Sequence, residues 1–165
     1  GEVPDSIELG VTQAAIDVCE NPNPKTVYEA KFSLQHCVSI AILYGQIGFD
    51  SFDSEARQQA SGLAKKFSLK CNEEFEKDYP DAWGAEVKVK LTNGKELSVR
   101  RKNAKGDPEA RLSPKEMLEK AEMLFRYGGV PNAEVWYERI LGLSREQSFC
   151  DSDLIHLLDV SSTIS

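Results

Sequence analysis

The chain has 165 residues, 41% of them hydrophobic and 28% charged, and its net charge is −7. That size and balance are typical of a globular domain with its own core. No apolar run approaches the roughly 20 residues that cross a bilayer, and an acidic chain is a poor partner for nucleic acid, whose phosphates need basic surface. Residues 1–5 lack the basic and apolar segments of a signal peptide. We therefore expect a cytoplasmic protein that binds neither membrane nor nucleic acid.

The first predicted elements are a strand, a turn and a helix. Alternating residues over Ile7–Thr12 predict a strand, which the apolar spacing of residues 14–18 extends. Two prolines in residues 21–26 predict a connecting turn. Ser33 fits the N-cap of a helix over residues 34–44, and the glycine that follows fits its end. Apolar residues cover most of the circumference of this helix, which indicates burial on several sides.

Three further elements follow before the clearest local signal of the chain. Alanine and leucine at helical spacing predict an amphipathic helix over residues 53–66. Residues 67–72 are interpreted as a strand and residues 73–83 as an acidic, turn-rich connection.

A β-hairpin is predicted over residues 86–101. Two alternating segments flank Asn93-Gly94, the preferred pair for a two-residue type I′ loop. The alternation places valine and leucine on one face and charged residues on the other, so one side of the sheet is expected to face water. The basic run 100–102 is interpreted as a solvated strand end, with an anion-facing edge as the alternative.

The last third of the chain is predicted to be helical. Ser113, Pro114 and Glu116 form a capping box with proline at the first helical position, and a double glycine at 128–129 ends that helix. A second helix opens at Pro131, and residues 151–158 are predicted to form a short third one. The order of elements predicts an α+β fold: a mostly antiparallel sheet, with the hairpin at 86–101, and helices packed on one face.

No motif for a metal, a nucleotide or a nucleophile is present. The sequence contains no G-x-G-x-x-G, P-loop, G-x-S-x-G or H-E-x-x-H pattern. The two histidines are not at zinc-ligand spacing, and the four cysteines are interpreted as buried free thiols in a reducing compartment. Trp83 and Trp136 are interpreted as core or hairpin-face residues. We therefore expect no metal, no cofactor and no catalytic residue in this chain.

A polar stripe runs along the start of the apolar helix. Gln35, His36 and Ser39 have spacings that let them share one edge, directly after the cap at Ser33. The first amide groups of a helix favour anions, and Lys31 adds a positive charge nearby. The simpler interpretation is that Ser33 caps the helix, Gln35 is solvated and His36 satisfies a backbone group. The alternative is an edge that binds a carboxylate.

Four segments of the chain resemble those of one enzyme family. Residues 29–52, EAKFSLQHCVSIAILYGQIGFDSF, resemble the signature of the MmgE/PrpD family, in which a segment like A-K-F-S-L-Q-Y precedes an apolar helix, a glycine and a phenylalanine. NPKT at 23–26, VKVKLTNGK at 87–95 and KGDPEARLSPKEMLEK at 105–120 are similar to further family patterns, in the same order. Two departures are His36, where tyrosine is common, and Arg111, where proline is common.

The resemblance implies one part of a two-domain enzyme. The family includes 2-methylcitrate dehydratase of propionate metabolism, cis-aconitate decarboxylase and iminodisuccinate epimerase. The resemblance implies an all-helical catalytic domain followed by an α+β lid domain, and residues 1–165 resemble the lid alone. The chain does not begin with methionine, which fits a portion of a longer gene product. We expect the isolated chain to be inactive, because the family's main acid and base residues lie outside it.

The resemblance also implies a ligand and partners. Family members act on small di- or tricarboxylic acids without a metal or organic cofactor, and tend to be homodimers. The implied partners are the carboxylic acid substrate, the N-terminal helical domain and a second copy. On this basis Lys31, Ser33 and His36 are predicted to bind the substrate carboxylate. The rival hypothesis is a non-catalytic α+β module that binds a partner protein or a small ligand.

Overall fold

The computed structural model describes residues 3–143 of the chain. It has an α+β fold with one four-stranded sheet. The chain divides into two compact units, Gly1–Arg111 and Leu112–Ser165. The elements of the first unit are β1 (Pro4–Val11), α1 (Gln13–Cys19), α2 (Val27–Lys31), α3 (Leu34–Tyr44), a 3₁₀ helix (Phe49–Phe52), α4 (Ser54–Ala64), β2 (Phe67–Cys71), α5 (Glu73–Asp78), β3 (Ala85–Leu91) and β4 (Glu96–Arg101). The second unit contains α6 (Pro114–Tyr127) and α7 (Ala133–Leu143).

The sheet is mixed, with the order β2-β1-β3-β4. β1 pairs antiparallel with β3, and β3 antiparallel with β4, whereas β1 and β2 run parallel. The α+β prediction is thus confirmed, together with a sheet that is antiparallel in most of its pairings. The parallel pair arises because the chain returns from β1 to β2 through four α-helices, and such a crossover brings the second strand back in the same direction.

Strand register separates an apolar from a polar face. Ile7 lies opposite Phe67 and Val89, and Leu9 opposite Leu69. Ile7 and Leu9 are almost completely buried, so this face of the sheet belongs to the core of the first unit. Burial of such side chains contributes roughly 1.5–3 kcal/mol each.

The opposite face carries an ion-pair cluster that holds three strands together. Glu8 of β1 contacts Lys70 of β2 and Lys88 of β3, and Lys88 also lies 3.2 Å from Glu86. Hydrogen bonding to Lys70, followed by the charges of both lysines, holds the pKa of Glu8 below its ordinary value despite some desolvation. This confirms the prediction that one face of the sheet is polar.

The hairpin is confirmed, but its loop differs from the predicted type I′ turn. The amide of Leu91 donates to the carbonyl of Lys95 at 2.8 Å, and the amide of Gly94 donates to the carbonyl of Leu91 at 2.9 Å. The loop therefore has three residues, Thr92 to Gly94, and only the glycine has positive φ, at 84°. This is a type I turn closed by a glycine bulge. Asn93 instead accepts the amide of Lys95 through its side chain at 3.0 Å.

Three short helices correct the predicted element order. Residues 13–19 form α1 and do not extend β1, because the Thr12 side chain accepts the amide of Ala15 and caps a helix. Thr26 caps α2 in the same way. The segment predicted as a turn-rich connection contains α5, which begins where the Asn72 side chain accepts the amides of Glu74 and Phe75. Each of these helices has at most seven residues, which is shorter than the window of about 11–18 residues over which a helical pattern is recognised.

Helix α5 lies against the polar face near one end of the sheet. A Cβ on Gly10 would meet the side chains of Asn72 and Glu86, and the guanidinium of Arg100 lies 4.6 Å from the centre of the Phe75 ring. Arg100 also pairs with Glu74. The basic strand end of β4 thus faces the carboxylates of α5.

Helices α3 and α4, both predicted from the sequence, pack against each other. Ile40 contacts Ala56 and Ala60 in one buried cluster. Small residues on α4 allow α3 to approach closely, and Asp53 caps α4 by accepting the amide of Ala56 at 2.8 Å.

In the second unit, α6 has the predicted start. Ser113 accepts the amide of Glu116, whose carboxylate accepts the amide of Ser113 at 2.9 Å. Gly128 is the C-cap, and Gly129 has a positive φ of 70°. The helix predicted after Pro131 is α7. The helix predicted over residues 151–158 lies outside the described residues.

The tryptophan and cysteine predictions are partly wrong. Trp83 is 52% exposed and packs edge-on against Tyr79, with the ring centres 5.0 Å apart, so it is not a core residue. Cys19 and Cys37 are free and half-buried, but Cys71 is exposed because it lies on β2 at the edge of the sheet. Cys150 lies outside the described residues.

Candidate functional site

Ser33 fixes the start of α3 to the preceding loop. Its hydroxyl oxygen accepts the amide of His36 at 3.0 Å, which caps the helix. The same hydroxyl donates to the carbonyl of Asn21 at 2.5 Å. Ser33 is only 1% exposed, so both of these hydrogen bonds are shielded from water. The predicted N-cap is confirmed.

Gln35 forms a hydrogen bond with the other backbone group of Asn21, in the same loop. The side-chain oxygen of Gln35 accepts the amide of Asn21 at 3.1 Å. Gln35 is 3% exposed, so the interpretation of a solvated glutamine is wrong. Both backbone groups of Asn21 are therefore satisfied by side chains of α3, which explains why polar residues occupy this otherwise apolar helix.

His36 is buried and bonds to the 3₁₀ helix. Its Nε2 lies 2.7 Å from the carbonyl oxygen of Ser51, and the residue is 2% exposed. A carbonyl only accepts, so Nε2 carries the proton and donates. The imidazole also packs against Phe52, with ring centres 5.8 Å apart.

A small cavity lies beside His36. It has a volume of about 20 Å³ and is lined by His36, Arg57 and Ala60 together with the loop residues Pro22 and Pro24. That volume holds about one water molecule and excludes a carboxylic acid. His36 therefore faces a space too small for the substrate that the resemblance implies, and reaches a ligand only if this region opens.

Lys31 is the exposed member of the predicted site. Its Nζ lies 5.9 Å from the centre of the Phe52 ring, at the outer limit of a cation–π contact. The Phe52 ring also contacts the imidazole of His36, which lies on α3. Phe52 therefore brings Lys31 and His36 together, whereas Ser33 acts through the helix cap. The sequence marked Phe52 only as the last residue of the family signature.

Arg57 is a cation that sequence reasoning missed. Its Nη1 donates to the carbonyl of Phe52 at 2.6 Å, and the side chain lines the cavity beside His36. Arg57 lies in the first turns of α4, where an arginine at a helix surface carries no distinguishing signal. Its role follows only from the way α4 folds back onto the 3₁₀ helix.

An acidic cleft lies on the other side of the 3₁₀ helix. This open cleft of about 360 Å³ is lined by residues that include Tyr44, Asp50, Asp53 and Glu55. Three carboxylates repel an anionic ligand, so this larger space is a poor place for a di- or tricarboxylate. An anion is better accommodated on the side of Lys31.

Ser39 is the unsatisfied polar residue of the stripe. It is fully buried, and its hydroxyl has no hydrogen-bond partner. Among the described residues, Gln35 and His36 of the stripe thus have defined partners, and Ser39 has none.

Cys37 and Cys71 are poor nucleophiles. Burial, and secondarily the nearby Cys19, raises the pKa of the Cys37 thiol. Desolvation, followed by the charge of Glu76, raises the pKa of Cys71. A thiol must lose its proton to attack a substrate, so both stay in the unreactive form at neutral pH.

Residues 3–143 contain neither a cluster of metal ligands nor a membrane-spanning helix. Within this range no group of three or more His, Cys, Asp or Glu side chains is placed to hold a metal ion. Nor does this part of the chain contain a helix of the length and apolar character needed to cross a bilayer.

Comparison with known families identifies the chain. The family model for the MmgE/PrpD C-terminal domain matches residues 2–136. The chain belongs to the MmgE/PrpD family. The match includes the whole sheet, the α3 site and α6. No curated protein matches the chain.

Proposed function

We propose that this MmgE/PrpD C-terminal domain is the lid of an enzyme that acts on small di- or tricarboxylic acids. The family match over residues 2–136 carries this proposal. The parent reaction removes a proton next to a carboxylate, and water loss, carbon dioxide loss or reprotonation follows. The parent is then a carbon–oxygen lyase such as 2-methylcitrate dehydratase of propionate metabolism, or a related decarboxylase or epimerase. We place it in the cytoplasm.

The role of the lid is to bind a substrate carboxylate, and the structure supports different tasks for the three predicted residues. Lys31 is exposed at the end of α2 and directs a positive charge to solvent beside the start of α3. Ser33 and His36 are buried, and their hydrogen bonds join the start of α3 to the loop at Asn21 and to the 3₁₀ helix. Lys31 is therefore proposed as the direct contact, with Ser33 and His36 completing the site by positioning it.

This arrangement suits the chemistry of the proposed reaction. Proton removal next to a carboxylate develops negative charge, which positive groups stabilise best when water is excluded. A lid that closes over the substrate brings Lys31 to the carboxylate and removes water at the same step. The acid and base residues belong to the proposed N-terminal helical domain, so the lid alone is inactive.

Turnover by a protein that contains the helical domain tests this proposal. The fused protein is assayed with 2-methylcitrate, cis-aconitate and iminodisuccinate, beside the chain alone. We expect turnover of one substrate by the fused protein only, and loss of one charged hydrogen bond in Lys31→Gln to lower kcat/KM by roughly 10- to 100-fold. Lys25→Gln is the matched control, because Lys25 is exposed shortly before α2 and its Nζ donates to the side chain of Asn23. Turnover by the chain alone would overturn the lid role.

The second candidate is an interaction module. Tyr28 is 71% exposed and Phe32 44%, and their rings lie 4.9 Å apart on the outer side of α2. Exposed aromatic side chains of this kind are typical anchors of protein interfaces. In the lid proposal this surface contacts the helical domain. In the rival it contacts a separate protein, and Lys31→Gln has no effect on any carboxylic acid.

A further inference from the structure

Within residues 3–143, the backbone groups on the outer edge of β4 have no hydrogen-bond partner. β4 is the last strand of the sheet, and all its residues are exposed. An exposed edge strand is a ready template for a further strand, and proteins normally cover or blunt such edges.

The register of the hairpin determines which groups point outward. The amide of Leu91 donates to the carbonyl of Lys95, and the pairing continues without a shift along β4. In an antiparallel ladder, residues that bond to the neighbour alternate with residues that do not. Odd-numbered residues of β4 therefore bond to β3, and the backbone groups of Glu96, Ser98 and Arg100 point to the open edge.

We propose that β4 pairs antiparallel with β4 of a second copy, with Ser98 opposite Ser98 on the two-fold axis. Outward-pointing groups then meet outward-pointing groups on both strands. In this register Glu96 lies opposite Arg100 of the other copy, and Leu97 lies opposite Val99. Because the axis is two-fold, each of these pairs forms twice.

The side chains of the strand favour a copy over an unrelated partner. Opposite charges, and two apolar residues, lie at equal distances on either side of Ser98, so the strand is complementary to itself. Leu97 is 44% exposed and Val99 63%, and pairing shields both. A shift by two residues loses this match, because it places Leu97 against Arg101 and Arg100 against Ser98.

The existing partner of Arg100 does not prevent this pairing. Arg100 contacts Glu74, and both side chains are well exposed. A guanidinium has five donors, so Arg100 keeps Glu74 and still accommodates Glu96 of the copy. Lys95 and Arg101 approach each other at the ends, and the strand is short, so the dimer is weak and concentration-dependent.

Charge reversal with rescue tests the register. Sedimentation is measured on the 165-residue chain from micromolar to millimolar concentration. Glu96→Arg and Arg100→Glu each place like charges opposite one another twice, and each is expected to weaken association by about tenfold or more. The double variant restores opposite charges and association. Glu109→Arg, an equal charge change at an exposed loop position, leaves association unchanged.

Two measurements keep the test decisive if a charge variant folds poorly. The Ser98 amide is expected to exchange more slowly with solvent as concentration rises, whereas the Leu97 and Val99 amides are slow at all concentrations. Ser98→Pro removes an outward amide without breaking the bonds to β3, so it yields a folded monomer with an unchanged circular dichroism spectrum. A monomer at every concentration overturns the proposal. A dimer that persists in Ser98→Pro, or that the double variant fails to restore, does so as well.

Discussion

Replacing His36 by phenylalanine tests whether the polar stripe stabilises the folded chain. The change keeps an aromatic ring against Phe52 but removes the Nε2 donor that lies 2.7 Å from the Ser51 carbonyl. The carbonyl of Ser51 then loses its donor at a part-buried position. A buried group left unpaired costs about 1–3 kcal/mol. With a loss of about 2 kcal/mol, the melting temperature of a chain of this length falls by roughly 4–8 °C.

Ser39→Ala is the matched control on the same helix. Ser39 is equally buried, but its hydroxyl has no partner. Removing an unsatisfied hydroxyl leaves stability unchanged or raises it by up to about 1 kcal/mol, since the desolvation cost disappears and alanine favours the helix. Both variants are compared by urea unfolding and thermal melting. Equal destabilisation by the two changes, or none by His36→Phe, would refute this account of the stripe.

Two further predictions concern a glycine and a carboxylate. Gly84→Ala places a Cβ 2.1 Å from the ring of the buried Phe75, so the free energy of unfolding in urea is expected to fall by about 1–3 kcal/mol. Gly62→Ala, at an open position in α4, is expected to raise it by about 0.5–1 kcal/mol. Equal effects of the two changes would contradict the packing argument. The Lys70 contact holds the folded-state pKa of Glu8 below its ordinary 4.5, so Glu8 contributes stability above that pH and loses it as the pH falls through the lower folded value. Glu8→Gln should therefore lower the urea midpoint at pH 7 and have no such effect in strong acid, and a deficit that is independent of pH would argue against this linkage.

Local chemistry made much of the first unit predictable. Ser33 caps the helix that its residue type predicts, since a side-chain oxygen satisfies a free amide within the same turn, and Ser113 does the same in the second unit. The hairpin strands followed from alternation for the same local reason. The turn between them did not, because Asn93-Gly94 also fits a three-residue loop, and the register is set by pairing along both strands.

Long-range contacts account for what the sequence did not reveal. The parallel pairing of β2 depends on how a crossover of several helices packs, which no local pattern records. Within the site, Gln35 looked solvated because its partner, Asn21, lies in a separate loop. His36 likewise finds its acceptor at Ser51, on a different element. A helical pattern gives the face on which a side chain lies, but not the backbone group that approaches it.

Citrate titration of the labelled chain, followed by NMR at low salt, tests the central claim most directly. Lys31→Gln and Lys25→Gln are titrated beside the unchanged chain, because both remove one exposed lysine charge close to α3. The account predicts saturable shifts confined to residues 31–39, with affinity about tenfold or more weaker in Lys31→Gln and unchanged in Lys25→Gln. No shift up to millimolar citrate, or equal weakening in both variants, would contradict a carboxylate contact at Lys31 in this chain.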